Sequence, residues 1–324
     1  MSASSDDLDE VINVPLRHFL TVTDFSRAEL DRTLDLAAAM KLKRHDYHSF
    51  GGGSAALIFK KPSLRTRVSF DVGVFELGGH PLYITDQEIG LGQRESVHDI
   101  AQVLSRFVSL IQIRTFAHAE VEELAACATV PVINGLTDSF HPCQIVADLL
   151  TVREHKGKLD GLVITYLGDG NNVAHSWLTA AERYAFELRI GTVAENDPDP
   201  EVLRRAQAAA KGRVVVVRDP EQAVAGSDVL YTDVWASMGQ KEKAAENRKR
   251  LWGFQINSRL LGLARPDAIV LHCLPAVRGE EITDDVMDGP QCKAFEEAEN
   301  RLHAQKSIMH MLLVELAGAS AKSR

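Results

Sequence analysis

Three short segments of this 324-residue chain hold side chains better suited to chemistry than to a core. In Lys61-Pro-Ser-Leu-Arg-Thr-Arg67 a strand gives way to a helix, where unpaired backbone N–H groups and the helix dipole favour an anion. Ser63 and Thr66 add hydroxyl donors, and Arg65 offers the forked donors that fit a phosphate. An ordinary helix cap with solvated arginines would use the same residues. Ser139-Phe-His-Pro-Cys-Gln144 also precedes a helix. His141 and Gln144 lie three apart there, an imidazole and an amide able to donate to a carbonyl oxygen that gains charge. A structural histidine beside a proline is the alternative. Arg114, closing an apolar run, could converge on the same spot or remain a surface cation. The third segment, Leu271-His-Cys-Leu-Pro-Ala-Val-Arg-Gly-Glu-Glu281, sets a polar turn at the carboxyl end of an apolar strand, where open α/β sheets place ligands. Cys273 within it reads as a nucleophile, a proton acceptor or a plain buried thiol.

Positioning these segments requires strands that end beside helices, and the pattern supplies them. Ala55 to Phe59 predicts a strand, a turn follows at Lys60-Lys61-Pro62, and Phe70, Val74 and Leu77 then fall at helical spacing before Gly78. Ser96 and Asp99 announce a helix whose apolar face is Val97, Ile100, Ala101, Leu104 and Val108. Further strands are predicted at 110–113, 130–133, 162–167, 214–217, 229–232 and 269–272. Asp199-Pro200 opens one of the intervening helices and Gly212 closes it. Such alternation implies parallel sheets covered by helices, an α/β chain. A domain boundary is expected near 145–158, where a helix ends in Glu154-His-Lys-Gly-Lys. The expected division is 1–150, 151–296 and a last helix from about Glu297 to Leu316 within 297–324.

Bulk properties exclude several classes. With 45% hydrophobic and 25% charged residues the composition is that of a globular protein, long enough for two domains of roughly 150 residues. A net charge of −9 speaks against nucleic acid or an anionic membrane as a partner, while leaving room for a local cationic pocket. The four cysteines show no CxxC pair and no histidine at zinc spacing, which points to a reducing cytoplasm and to no structural metal. The polar, acidic stretch from Met1 to Asp7 reads as neither a signal nor a transit peptide, so none is expected. No apolar run reaches bilayer-spanning length.

In this order the segments resemble the aspartate/ornithine carbamoyltransferase family. Ser63-Leu64-Arg65-Thr66-Arg67 is similar to its carbamoyl-phosphate signature, and His141-Pro142-Cys143-Gln144 and His272-Cys273-Leu274-Pro275 to two further motifs. Arg94 to Arg106, Gly168-Asp-Gly-Asn-Asn172 and Ala298 to His303 extend the resemblance to nearly the whole chain, about 16 to 316. It implies two Rossmann-like domains, each a mainly parallel sheet flanked by helices, the last helix packing back on the first domain. It assigns carbamoyl phosphate to Ser63, Leu64, Arg65, Thr66, Arg114, His141, Gln144, Leu274 and Arg301. Arg114, His141 and Thr66 would stabilise the carbonyl oxygen, and Cys273 would accept or relay the proton of the attacking amine.

Asp233-Val-Trp-Ala-Ser-Met-Gly239 is similar to the acceptor loop of the family's ornithine-using members. That similarity implies an ornithine site of Asn172, Asp233, Ser237 and Met238, with Asp233 binding the α-ammonium. Aspartate would want a cation there; putrescine and N-acetylornithine each lack a group this loop would read. The resemblance further implies a homotrimer or a multiple of it, a place in arginine metabolism, and no metal or other cofactor. The Gln87 to Gln93 loop is the candidate for reaching a neighbouring subunit. Leu64 departs from the small Thr or Gly usual in the signature, but keeps the backbone N–H that such a position offers. A dinucleotide-binding dehydrogenase, built on Gly168 to Asn172, would need GxGxxG, which this is not. A non-catalytic carbamoyl-phosphate-binding homologue is the other rival, although Arg65, Arg114 and His141 are all present.

Overall fold

The computed structural model describes residues 16–92, 94–236 and 241–317, with the side chains of 241–243 outside that description. Ser26 caps the first long helix, α1 (Arg27–Leu42), and the first sheet follows. Its strands are β1 (Ser54–Phe59), β2 (His80–Thr85), β3 (Leu110–Arg114) and β4 (Val132–Leu136), in the parallel order β2-β1-β3-β4. The crossovers are α2 (Leu64–Glu76), the short α3 (Asp86–Ile89) with α4 (Val97–Phe107), and α5 (His118–Cys127). As the spacing predicts, α2 and its cap turn Phe70, Val74 and Leu77 inward, and α4 buries Val97, Ile100 and Ala101.

Helix α6 (Pro142–Lys156) leaves the first sheet with proline at its first position, and Gly157, in the left-handed region at φ 70°, ends it where a side chain would be strained. Every residue from Pro142 to Val152 is buried. A helix apolar or buried on all sides runs through an interior, and α6 is enclosed by β4, α1, α7 and α13. The second sheet has β5 (Val163–Leu167), β6 (Glu187–Gly191), β7 (Arg213–Val217), β8 (Val229–Thr232) and β9 (Ile269–His272), parallel in the order β7-β6-β5-β8-β9. Between them run α7 (Asn172–Ala181), α8 (Pro200–Ala209), α9 (Pro220–Val224), α10 (Lys241–Leu251) and α11 (Ser258–Leu261). After α12 (Asp284–Met287), the last long helix α13 (Ala294–His310) returns to pack on α6, α1 and α2. The two-sheet α/β architecture with a returning C-terminal helix is therefore the observed one.

Some boundaries differ from the sequence expectation. β4 starts at Val132, not Val130, because Pro131 has no N–H and offers the ladder only its carbonyl, to Ile111. β2 and β6 escape the pattern: His80-Pro81 opens one with poor strand residues, and Glu187 and Arg189 pair with each other on the other. Helix α8 stops at Ala209, before Gly212. Gly212 instead passes so close to the Phe186 carbonyl that a β-carbon there would lie 2.1 Å from its oxygen. In the expected 87–93 loop, Gln87, Glu88 and Ile89 belong to a helical turn capped at its start by Glu88 accepting from the Thr85 N–H at 2.7 Å; Gln93 lies outside the described residues.

Candidate active site

Parallel strands deliver their carboxyl ends to one edge, so the ends of β1, β3, β4, β5, β8 and β9 and the segments after them carry the residues singled out above, Arg301 apart. After β1, Ser63 caps α2 by accepting from the Thr66 N–H at 3.3 Å. The amides of Leu64 and Arg65 head that helix, and Leu64 sends its side chain outward, 73% exposed. Thr66 is wholly buried. Its hydroxyl oxygen accepts from the Arg301 guanidinium at 2.7 Å and from Arg114 at 3.3 Å. Arg114 ends β3 and Arg301 comes from α13, so three distant segments meet on one hydroxyl.

This meeting is electrostatically uncomfortable. Burial, then the charges of Arg301 and Arg65, push the Arg114 guanidinium down to about 10. Burial likewise lowers Arg301, with Arg65 adding to the effect. Among the described residues none of the three guanidiniums has a carboxylate within 4.0 Å, and the Nε atoms of Arg114 and Arg301 are buried without partners. A buried cationic cluster with free donors is complementary to a small dianion.

His141 caps α6 beside this cluster, and its N–H donates to Ser176 Oγ on α7 at 2.7 Å. Its side chain is buried, Nδ1 is unpartnered, and burial plus Arg301, Arg114 and Arg65 hold it well below the usual histidine range. The ring is a neutral donor rather than a cation. Gln144, one turn on, is buried with Nε2 bonded to Asp148 and Glu297 and Oε1 unpaired.

Across the crevice, Asp233 follows β8 and Cys273 follows β9. The Cys273 thiol donates to Asp233 Oδ1 at 3.1 Å, which also accepts from the Val234 N–H at 2.8 Å; Asp233 Oδ2 accepts from Asn171 at 2.8 Å. Burial and the Asp233 charge push the thiol well above its ordinary value, so no resident thiolate stands here. Leu274 has φ 56°. Its N–H donates to His272 Nδ1 at 2.9 Å, while His272 Nε2 bonds Glu281 at 3.0 Å. Asp233, His272 and Cys273 bring three possible metal-ligand atoms within 4.8 Å of one another. With both ring nitrogens of His272 engaged, metal ligation would require breaking these bonds.

The structure thus brings Arg65, Thr66, Arg114, His141 and Arg301 together, and Asp233 with Cys273. Asn172 does not join Asp233 directly: its amide donates to the Thr137 carbonyl at 2.7 Å. Ser237 and Met238 lie outside the described residues. Sequence reasoning missed Asn171, which caps α7 through the Val173 and Ala174 N–H groups and also holds Asp233. An Asn directly before a helical pattern was the available signal. The Gly168 turn is bonded to the 196 segment, Gly170 N–H to the Asn196 carbonyl at 2.8 Å and Asn196 Nδ2 to Asp169 at 2.6 Å. Its backbone therefore does not present the open cradle a pyrophosphate needs.

Residues 17–154 match the family described as "Aspartate/ornithine carbamoyltransferase, carbamoyl-P binding domain", and residues 160–312 match "Aspartate/ornithine carbamoyltransferase, Asp/Orn binding domain". The ornithine carbamoyltransferase of Pelobacter propionicus is 49% identical over 300 residues, covering 92% of this chain and 98% of its own. The solved ornithine carbamoyltransferase of Pyrococcus furiosus superposes with a TM-score of 0.87 at 45% identity, covering 90% of this chain and 96% of that one. That of Thermus thermophilus gives 0.83 at 42%, covering 91% and 98%.

Proposed function

The chain belongs to the aspartate/ornithine carbamoyltransferase family, and from that premise we propose the residue roles by which it transfers a carbamoyl group to ornithine. The reaction is carbamoyl phosphate plus L-ornithine to L-citrulline and phosphate. The observation that carries the roles is the cluster of half-buried Arg65 with buried Arg114 and Arg301, without a carboxylate among the described residues, facing the Cys273–Asp233 pair.

In this reading the first domain, to about residue 150, binds carbamoyl phosphate. Phosphate oxygens take the hydroxyl of Ser63, the backbone amides at Leu64 and Thr66, and the guanidiniums of Arg65 and Arg114, leaving the Thr66 hydroxyl hydrogen for the carbonyl oxygen. The last helix adds Arg301. The exposure of the Leu64 side chain supports the view that this position contributes only its N–H. Arg114, Thr66 and neutral His141 receive the carbonyl oxygen as it becomes an oxyanion, each such donor contributing on the order of 10²–10³ in rate. Gln144 Oε1 and the Leu274 carbonyl accept from the carbamoyl NH₂. The second domain, about 151–296, binds ornithine through Asn172, Asp233, Ser237 and Met238. A δ-amine resembles lysine, with a pKa of about 10.4, and must lose a proton before attack. Because the Cys273 thiol is neutral and donates to Asp233, it acts as a relay: sulfur takes a proton as its own passes to the carboxylate.

We also propose a homotrimer, or a multiple of one. Leu64, Val68 and Phe75 are exposed on one face of α2, a stripe suited to burial against another copy. Sedimentation at the mass of one chain would contradict this. A reducing cytoplasm is proposed from the four free thiols, and a role in arginine metabolism from the product. Among the described residues no helix is long and apolar enough to cross a membrane.

The reaction is tested by incubating the purified enzyme with carbamoyl phosphate and L-ornithine and quantifying both products. Citrulline and phosphate in equal amounts are expected. Phosphate release without any ureido product would overturn the reading.

A further inference from the structure

Gln144 is wholly buried, and both hydrogens of its amide nitrogen are spent. Nε2 donates to Asp148 Oδ1 at 2.8 Å and to Glu297 Oε1 at 2.9 Å, while Oε1 has no partner. An amide rotated by half a turn would set its carbonyl oxygen against two carboxyl oxygens and leave the NH₂ unpaired. The two carboxyls thereby dictate which end of Gln144 is free.

The pair also ties together elements from both halves of the site. Asp148 lies one helical turn after Gln144 on α6. Glu297 lies one turn before Arg301 on α13. The second carboxyl oxygen of Glu297 accepts from the His272 N–H at 2.8 Å, immediately before Cys273, and its first is 3.3 Å from the Tyr231 hydroxyl. Two carboxyls buried this deeply are a costly way to fill space, since an apolar pair of similar volume would pack as well. Burial pushes both up, and the neighbouring Asp148 raises Glu297 further, so the pair holds a proton at neutral pH and keeps less charge to offset. The remaining acceptor oxygens still outcompete any inverted placement of the amide.

Resting on the reading of carbamoyl phosphate as the donor substrate, we propose that Asp148 and Glu297 are positioning residues that lock the Gln144 carbonyl oxygen toward the carbamoyl NH₂. The lock makes the site select carbamoyl phosphate over acyl phosphates that carry a methyl group at that position. An NH₂ satisfies the buried oxygen; a methyl leaves it stranded, and sites built on a hydrogen bond discriminate strongly on that ground.

The test uses the full chain and acetyl phosphate as the methyl-bearing probe. The measured quantity is its inhibition constant divided by the dissociation constant of carbamoyl phosphate. Glu297→Gln preserves an acceptor for the His272 N–H but supplies an amide donor that lets Gln144 invert. The ratio is expected to fall about 10-fold or more, with the ornithine KM moving less than about 2-fold. Asp148→Asn, which leaves Glu297 and its bond to His272 in place, is expected to shift the ratio in the same direction. It stands in should the first variant fail to fold. Adding Glu297→Gln to a Gln144→Leu enzyme is expected to leave the ratio where Gln144→Leu alone puts it. An unchanged ratio in the folded single variants, or an equal fall with Gln144 already gone, overturns the proposal. If the unmodified enzyme shows no saturable carbamoyl-phosphate binding, it is the donor assignment that fails.

Discussion

Two guanidiniums buried beside a third are destabilising until an anion arrives, and this fixes what the third, Arg65, should do. It is the most solvent-facing of the three and has the most freedom to meet a phosphate. Replacing Arg65 with Ala removes a bidentate charge-assisted contact, and carbamoyl-phosphate affinity measured by calorimetry is expected to fall about 100-fold, from roughly 1.5–3 kcal/mol per such bond. Unchanged affinity would refute the assignment. Cys273→Ala should leave that affinity intact and lower kcat with ornithine, because among the described residues the thiol hydrogen-bonds only Asp233. At this scale the sequence was informative where residue type alone defines a role, as with arginines at a helix start. It was mute about the state of Cys273, because the neutral thiol depends on Asp233, forty positions away, and on burial no local pattern reports. Thr66 was legible as a hydroxyl donor; that it accepts from two arginines was not.

At the scale of elements, α13 is the piece that completes the first domain's site from the far end of the chain. It is fastened to α2 by Lys306, wholly buried, whose ammonium lies 2.8 Å from Glu76 and 2.5 Å from the Arg44 carbonyl. Arg44 also pairs with Glu76, at 2.5 Å. Lys306→Met removes one partner from a buried pair, a loss of about 3 kcal/mol, seen as a lower urea midpoint. Carbamoyl-phosphate affinity should fall with it, since α13 and α2 supply Arg301 and Thr66. An unmoved midpoint would show the fastening to be idle. Lys306 and Arg44 hold the Glu76 carboxyl below its ordinary value against the opposing effect of burial. Its contribution is therefore present at neutral pH and lost as pH falls through that lowered value. The strand and helix pattern was readable wherever apolar residues kept their period, as in β1, α2 and α4. It failed at β2 and β6, whose charged or proline-containing openings hide the alternation. Nothing local marks Glu297, Arg301 and Lys306 as buried, because their partners lie on α6, α2 and β9.

Across the whole molecule, two parallel sheets present their carboxyl ends to one crevice, with α6 packed on β4, α13 on β9, and the two helices on each other. A chain with a net charge of −9 concentrates three cations on one wall and a carboxylate on the other. The division matches the reaction: a dianionic donor on the first domain, a cationic amino acid on the second. The alternation of elements made both sheets foreseeable, whereas the meeting of their edges is a tertiary fact that only the family resemblance anticipated. What the second domain accepts as its amine decides the reaction. It is tested most directly by measuring ureido product from carbamoyl phosphate with ornithine, putrescine, N-acetylornithine and aspartate in parallel. Strong product is expected with ornithine and at least about 100-fold less kcat/KM with the others, since each leaves a charged group unpaired or misplaced at Asp233. Preferred turnover of any other amine would contradict it, leaving the anion site standing and the reading of the second domain wrong.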